Sequence, residues 1–186
     1  MPKLFMVLIG CKPKGRHTEQ HDVFFGVADT VSDLIPEIKA FWPEAKGKMH
    51  IDGWRAVTLV DGHTVSVVPR DSPLSDSSSR LFFINLGGYK PNEFEEFHYK
   101  MLAASKTKSE AIKQSKQTVF FKHTGFAGAH SHIDDKYGVD VDDIYDIAEI
   151  LSENTRNQFR ILVEPLLDNI NEDEMHLGYF PLSTFE

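Results

Sequence analysis

The sequence predicts an α/β (α+β) fold of two tandem-duplicated strand–helix–helix–strand units, with a mixed β-sheet covered by helices and an internal pseudo-twofold axis. Short apolar runs ending in glycine, Leu4–Gly10 and Leu81–Gly87, are typical of buried strands and lie 77 residues apart. Between residues 19 and 39, six of 21 positions recur 77 residues later, where about one is expected by chance. Further on the offset grows to 82, and His50-Ile51-Asp52 recurs as His132-Ile133-Asp134.

The first repeat is assigned to residues 1–70. Its expected elements, in order, are a strand at 4–9, a helical stretch at 19–28, a second helix after Ser32, and extended segments at 48–60 and 63–68. Serine is a common residue at helix N-caps, which favours a helix start at Ser32. Asp61-Gly62 separates the two extended segments and favours a hairpin turn between them.

The second repeat is assigned to residues 80–186, after a linker at 71–79 whose Ser and Pro content is typical of a surface loop. Its expected elements are a strand at 81–86, a helical stretch at 96–104, a helix from Ser109, an inserted helix at 142–151, a strand at 159–163 and a C-terminal strand at 176–182. We expect the two repeats to form one compact unit overall.

Composition narrows the class of partner. The chain has 186 residues and a formal net charge of −8, which disfavours nucleic acid because phosphate contacts need a basic surface. No apolar run approaches the length of a membrane span. With Cys11 as the single cysteine, an intramolecular disulfide is excluded, so we expect a reducing compartment, the cytoplasm. Cys11 is interpreted as a core residue in preference to a reactive thiol.

A glycine-bracketed basic loop is the first candidate binding site. It lies between a predicted strand and a predicted helix, where backbone N–H groups and the helix dipole can hold an anion. Its candidate anion-binding residues are Gly10, Lys12, Lys14, Gly15 and Arg16. The loop departs from a phosphate-binding P-loop, since Arg16-His17 stands where Lys-Ser/Thr belongs. A tight turn with solvated cations is the alternative interpretation.

Repeated polar pairs form the second candidate site. The candidates are Glu19, His21, Glu96, His98, His50, Asp52, His130, His132 and Asp134. His, Asp and Glu in such sets suit a divalent metal or proton transfer. The alternative, which we favour from the sequence, is structural: buried His and Asp residues hydrogen-bonded across the two copies.

Several runs resemble one catalogued family. Leu4–Arg16, Glu19–Gly26, His130–Leu151 and Asp173–Tyr179 are similar to the opening and closing motifs of the bacterial family catalogued as domain of unknown function 1543. The resemblance spans nearly the whole chain and implies one or two copies of the domain. It brings no activity, substrate, cofactor or functional residue with it.

The sequence leaves three functions open. The first is a binding module for a small anionic ligand at the basic loop. The second is a metal-dependent or acid–base hydrolase that uses the repeated Glu, His and Asp residues. The third is a structural or assembly role as a homodimer. Catalytic residues, metal and cofactor are not identified by the sequence.

Overall fold

A computed structural model describes residues 1–73, 78–89, 92–117, 144–166 and 173–186. The chain divides into two compact units. The first combines Met1–Leu74 with Leu151–Glu186, and the second is Ser75–Ile150. The predicted repeat boundaries stay a prediction.

The first unit consists mainly of antiparallel strands. Its elements are β1 (Lys3–Cys11), β2 (Gln20–Ala28), α1 (Ile35–Phe41), β3 (His50–Val57), β4 (Leu59–Val60), β5 (His63–Pro69), α4 (Glu153–Gln158), β9 (Phe159–Pro165) and β10 (His176–Pro181). Short 3-10 turns lie at Ser32–Leu34, Pro43–Ala45 and Leu182–Thr184. One sheet has the strand order β10-β3-β1-β2 and another the order β4-β5-β9.

The core of the first unit lies on one face of the four-stranded sheet. Alternate residues of β1, from Phe5 through Val7 and Ile9 to Cys11, are buried against Ile35 and Ile38 of α1 and against neighbouring apolar side chains. Because side chains alternate along a strand, Gly10 belongs to the other face of the sheet. The candidate site described below therefore lies on the face opposite this core.

The second unit is smaller. Its described elements are β6 (Arg80–Tyr89), β7 (Glu96–Ser105), α2 (Lys108–Ser115), β8 (Ile144–Asp146) and α3 (Ile147–Ile150). The strands form an antiparallel sheet in the order β7-β6-β8. Phe82, Ile84 and Ala103 from the sheet pack with Ala111 of α2 in its core. Thr107 caps α2, because its hydroxyl oxygen accepts a hydrogen bond from the backbone N–H of Glu110 (3.2 Å).

The predicted fold class is wrong. The described chain forms three antiparallel sheets with few short helices, not a mixed sheet covered by the helices of two duplicated units. The decisive errors are at 19–28 and 96–104, which are strands β2 and β7 instead of helices. In β2 the aromatic and β-branched run Val23–Val27 favours a strand. In β7, ten residues pair continuously with β6, and this pairing outweighs the helix propensity of Met101–Ala104.

Other predicted elements are present. A helix follows Ser32 as predicted, although it begins as a 3-10 turn. The extended segments on both sides of Asp61-Gly62 are β3 to β5. The strands predicted at 159–163 and 176–182 correspond to β9 and β10. Of the helix predicted at 142–151, the described part contains a short strand followed by α3.

The offset of 77 residues recurs in the register of two hairpins. Gly10 pairs with His21 in the β1–β2 hairpin, and Gly87 pairs with His98 in the β6–β7 hairpin. The sequence similarity therefore corresponds to two hairpins of the same register, one in each unit.

Candidate functional site

A row of three residues crosses the four-stranded sheet of the first unit. Gly10 of β1 pairs with His21 of β2 on one side and with His50 of β3 on the other. Residues directly opposite each other in antiparallel strands project from the same face. The two imidazoles therefore flank a glycine on the face opposite the α1 core.

Gly10 provides the space in which the side chains meet. A Cβ atom at this position would lie 2.4 Å from His50 Nε2 and 2.6 Å from Asp52 Oδ2, closer than any ordinary contact. The φ of Gly10 is not in the left-handed region, so backbone conformation does not require a glycine here. Glycine is required because the neighbouring side chains occupy the space of a Cβ atom.

A β-bulge brings Asp52 to the same place. Ile9 pairs with Ile51 and Leu8 pairs with Gly53, so Asp52 is the extra residue of β3 at this point. On the other side of β3 the pairing with β10 shifts as well, and Tyr179 lies in the irregular stretch opposite Asp52. Bulges re-aim side chains and are frequent beside functional sites. The bulge places the Asp52 carboxylate between the two histidines.

The acidic and imidazole groups are in mutual contact. His50 Nε2 lies 3.1 Å from Asp52 Oδ1 and 3.3 Å from Glu19 Oε1. His21 Nε2 lies 3.2 Å from Asp52 Oδ2 and 3.7 Å from Glu19 Oε2. Ligand atoms of Glu19, His21 and His50 all lie within 4.8 Å of one another. We call Glu19, His21, His50 and Asp52 the His/acid cluster.

These short distances are not accompanied by hydrogen bonds at two buried atoms. His50 Nε2 and Asp52 Oδ2 are both inaccessible to solvent, and neither has a hydrogen-bond partner of acceptable geometry. Buried polar atoms of this kind are rare because leaving them unsatisfied costs free energy. The structural interpretation of the histidines requires the hydrogen bonds that these two atoms lack.

The spacing agrees with that of metal ligands. Ligand atoms at 2.0–2.1 Å from a tetrahedral zinc ion lie about 3.3 Å from one another. The four nitrogen–oxygen distances in the His/acid cluster run from 3.1 to 3.7 Å. The cluster therefore has the donor types and the approximate spacing of a first coordination sphere.

The cluster is buried on one side and open on the other. The side chain of His50 is 6% exposed and that of Asp52 is 23% exposed, whereas His21 and Glu19 are 42% and 44% exposed. The Tyr179 ring covers His50 from the β10 side, with ring centroids 4.3 Å apart. Closed structural zinc sites use all four positions for protein ligands, whereas catalytic sites leave one open. The exposure of Glu19 and His21 matches the second kind.

The basic loop connects β1 to β2 and is exposed at Lys12, Lys14, Gly15 and Arg16. The Arg16 N–H donates to the carbonyl oxygen of Pro13 (3.2 Å), and Gly15 has a φ of 84°, which glycine adopts readily. A strand follows the loop, so the predicted support from a helix N-terminus is wrong. Gly10 lies within β1 beside the histidines, apart from the loop.

The second set of polar residues is only partly described. Glu96 and His98 lie two residues apart on β7, with 4.0 Å between Glu96 Oε1 and His98 Nε2. His130, His132 and Asp134 lie outside the described residues, so their assignment to a site stays a prediction. Sequence reasoning missed Tyr179, whose contact with His50 depends on the pairing of two strands far apart in the chain.

Cys11 is a core residue. It is 1% exposed and packs within the apolar cluster of the first unit. Burial, and to a lesser extent the negative charge of Glu19, raises the pKa of the Cys11 thiol. A thiol held in its neutral form is neither a good nucleophile nor a ready metal ligand.

A separate cavity of about 570 Å³ lies in the first unit. Its lining includes Phe5, Trp54 and His176, with the last two rings stacked 3.8 Å apart. None of the His/acid cluster lines it. Two unsatisfied buried polar atoms, His50 Nε2 and Asp52 Oδ2, belong to the cluster, whereas none of those found among the described residues lines the cavity. The cluster is therefore the better candidate for a site with chemistry.

Comparison with known proteins supports the fold without naming an activity. The family described as "Domain of Unknown Function (DUF1543)" matches residues 16–67, a stretch that contains the whole His/acid cluster. The chain is similar to the crystal structure of a protein Il1583 from Idiomarina loihiensis, with a TM-score of 0.62 and 19% identity over 98% of this chain and 99% of that chain. At this identity the likeness shows the fold alone. No curated protein matches.

Some expectations are not decided by these comparisons. The family match covers a single stretch, so two copies of the domain and a bacterial origin stay predictions. Within the described part of the chain, no helix has the length and apolar character needed to cross a membrane. The cytoplasmic location, the homodimer and the exclusion of nucleic acid likewise stay predictions.

Proposed function

We propose that this protein binds a divalent transition-metal ion through Glu19, His21 and His50, with Asp52 beside both imidazoles. The observation that supports the proposal is the convergence of these groups at ligand spacing around a buried His50 nitrogen that makes no hydrogen bond. A bound ion satisfies that nitrogen and neutralises the two neighbouring carboxylates. Metal binding thereby removes the cost of an incompletely satisfied polar cluster.

The donor set favours particular ions. Two imidazole nitrogens with carboxylate oxygens suit Zn²⁺, and a set of two histidines and one carboxylate with open positions also suits Fe²⁺. Calcium and magnesium are disfavoured because they prefer all-oxygen surroundings. Cys11 contributes no sulfur ligand, since it belongs to the core face of β1. Zn²⁺ and its spectroscopic substitute Co²⁺ are therefore the appropriate probes.

Metal-dependent hydrolysis is the catalytic use that the geometry favours. The specific observation is the exposure of Glu19 and His21, which would leave one position of a metal held there accessible to water. A zinc ion held there would lower the pKa of its bound water to about 7 and so supply a nucleophile for esters or phosphoesters. Glu19 then has two available roles, as a ligand or as the group that accepts the proton from that water.

Metal titration tests the binding proposal. The chelator-treated protein should take up Zn²⁺ or Co²⁺ in calorimetric titration, and Glu19→Gln and His50→Ala should each weaken binding at least tenfold. Glu19→Gln should leave the fold intact, because Glu19 is partly exposed and glutamine has the same size as glutamate. His63→Ala is a matched control, because His63 lies on β5 and contacts the Asp61 carbonyl instead of the cluster. Equal metal affinity in all variants would refute the site.

Hydrolysis is tested separately. Activated esters and phosphoesters of p-nitrophenol should be cleaved faster by the zinc-loaded protein than by the metal-free protein, and Glu19→Gln should remove the difference. If metal binds and no substrate is hydrolysed above the rate of the metal-free protein, the metal-binding proposal stands and the hydrolytic one is rejected.

A further inference from the structure

We infer that the open side of the His/acid cluster takes a small anion, with phosphate or a phosphate monoester as its chemical class, and that Lys12, Lys14 and Arg16 attract it. This inference rests on the proposed metal site and identifies what that site binds. It assigns a role to the basic loop that does not depend on the helix N-terminus expected from the sequence.

The position of the loop is the first support. The loop joins the ends of β1 and β2, one residue beyond Gly10 on one strand and one residue before His21 on the other. Strands rise about 3.3 Å per residue, so Lys12, the first residue after β1, lies within about 7 Å of Gly10 along the chain. The Pro13–Arg16 turn folds the chain back towards Glu19.

Charge is the second support. A divalent ion beside the carboxylates of Glu19 and Asp52 would offset their two negative charges, so these groups would no longer oppose the binding of an anion. In the part of the chain that the structure describes, no hydrogen bond or ion pair involves the side chains of Lys12, Lys14 or Arg16. Among the described residues these three cations are therefore not engaged elsewhere, and in a chain of net charge −8 they form a local positive group that attracts anions.

The two sides of the cluster differ in what lies beside them. The strand order β10-β3-β1-β2 places the Tyr179 ring on the β10 side of His50, while the loop lies at the ends of β1 and β2. The proposed ligand must offer one oxygen to the metal and others to the cations of the loop, which starts and ends beside Gly10 and His21. Phosphate satisfies both requirements because it offers oxygens to the metal and to Lys and Arg donors simultaneously.

Spectroscopy of the cobalt-loaded protein tests the inference. Inorganic phosphate should change the visible absorption of bound Co²⁺ in a saturable manner, because it replaces a water ligand. The variant Lys12→Gln/Lys14→Gln/Arg16→Gln should bind Co²⁺ at least as tightly as the original chain and phosphate at least tenfold more weakly. A control with the same change in charge, Lys3→Gln/Arg70→Gln/Arg156→Gln, neutralises exposed cations of the first unit outside the loop and should keep phosphate affinity.

The outcomes are distinguishable. Equal phosphate affinity in the loop variant and the control would overturn the role of the loop while leaving the metal site in place. A cobalt spectrum that phosphate does not change in any variant would overturn the inference as a whole. Failure of the original chain to bind Co²⁺, established before phosphate is added, would overturn the metal proposal and this inference together.

Discussion

At the scale of single residues, the His/acid cluster depends on the missing side chain of Gly10 as much as on its own side chains. Gly10 is surrounded by His21 and His50 on neighbouring strands, and Asp52 reaches the same space from a bulge. Any larger residue at position 10 competes with the imidazole and carboxylate groups for that space. The glycine and the ligating residues are therefore parts of one arrangement.

Gly10→Ala should reduce metal affinity without removing a ligand. The new Cβ would lie 2.4 Å from His50 Nε2 and 2.6 Å from Asp52 Oδ2, so both groups must turn away from their positions. We expect at least a tenfold loss in Zn²⁺ affinity by calorimetric titration. Gly87→Ala, at the corresponding register position of the β6–β7 hairpin, meets its nearest neighbour at 3.2 Å and is the control. Unchanged affinity in Gly10→Ala would contradict the assigned geometry.

Cys11 should be inert in the folded protein. It is 1% exposed, and burial together with the charge of Glu19 raises the pKa of its thiol, so the reactive thiolate is scarce at neutral pH. The reaction of the thiol with Ellman's reagent should therefore be slow in buffer and complete within minutes in concentrated denaturant. Equal rates in the two conditions would show that the thiol is accessible in the folded state.

At the residue scale the sequence named the members of the cluster as candidates but did not predict how they are arranged. The recurrence of Glu19-x-His21 and His50-x-Asp52 placed all four members of the cluster among nine candidates, for which the sequence favoured a structural role. Their convergence depends on strand pairing and on a bulge at Asp52, which leave no local signal in one sequence. The contact of Tyr179 with His50 depends on the same long-range pairing.

At the scale of elements, pairing within a hairpin decides between helix and strand where the local sequence pattern fits both. The segments at 19–28 and 96–104 were predicted as helices because each follows a strand and a polar turn. Both pair as strands over nine or ten residues, and these pairings make the neighbouring segments a continuous sheet. Short apolar runs do not distinguish helix from strand by periodicity alone. The helices predicted after Ser32 and Ser109 are present because their first turns carry acidic residues, although the second is capped by Thr107 instead of Ser109.

Asp146 links β8 to α3 and provides a test at this scale. Its carboxylate is 2% exposed, pairs with Arg80 and accepts a hydrogen bond from the Ala148 N–H (2.9 Å), as an N-cap does. Asp146→Ala removes the cap and should lower the free energy of unfolding by about 1–2 kcal/mol. Asp146→Asn keeps an acceptor for the Ala148 N–H and should be closer in stability to the original chain. Denaturant unfolding monitored by circular dichroism measures both.

The same carboxylate predicts a direction of pH dependence. Burial raises the pKa of Asp146, and this effect outweighs the lowering by the Ala148 N–H and by Arg80. Between the unfolded and the folded pKa the folded state binds more protons, so this group contributes less stability as pH rises. Asp146→Asn does not titrate, so its stability relative to the original chain should increase from about pH 4 upwards and then level off. A relative stability that falls over this range would contradict the raised pKa.

At the scale of the whole molecule, the described residues include all members of a candidate site in the first unit but only some of the corresponding residues in the second. The first contains the His/acid cluster and the basic loop, and the match to the family of unknown function at residues 16–67 covers the cluster. The second has the Gly87–His98 register pair and Glu96, while the residues predicted to complete a similar set lie outside the described part. Repetition in the sequence thus corresponds to a hairpin of the same register in each unit, where the sequence predicted a strand followed by a helix.

Metal binding should therefore stabilise the first unit selectively, which hydrogen–deuterium exchange can detect. At a hundred times the dissociation constant, Zn²⁺ stabilises the protein by about 2.7 kcal/mol. Amides of β1, β2 and β3 should exchange more slowly on addition of Zn²⁺, because the ligating side chains of these strands and the loop before β2 are held by one ion. Amides of β6 and β7 should be unaffected, and Glu19→Gln should abolish the protection in the first unit. Equal protection of β6 and β7 would contradict selective stabilisation of the first unit, and protection that persists in Glu19→Gln would place the ion elsewhere.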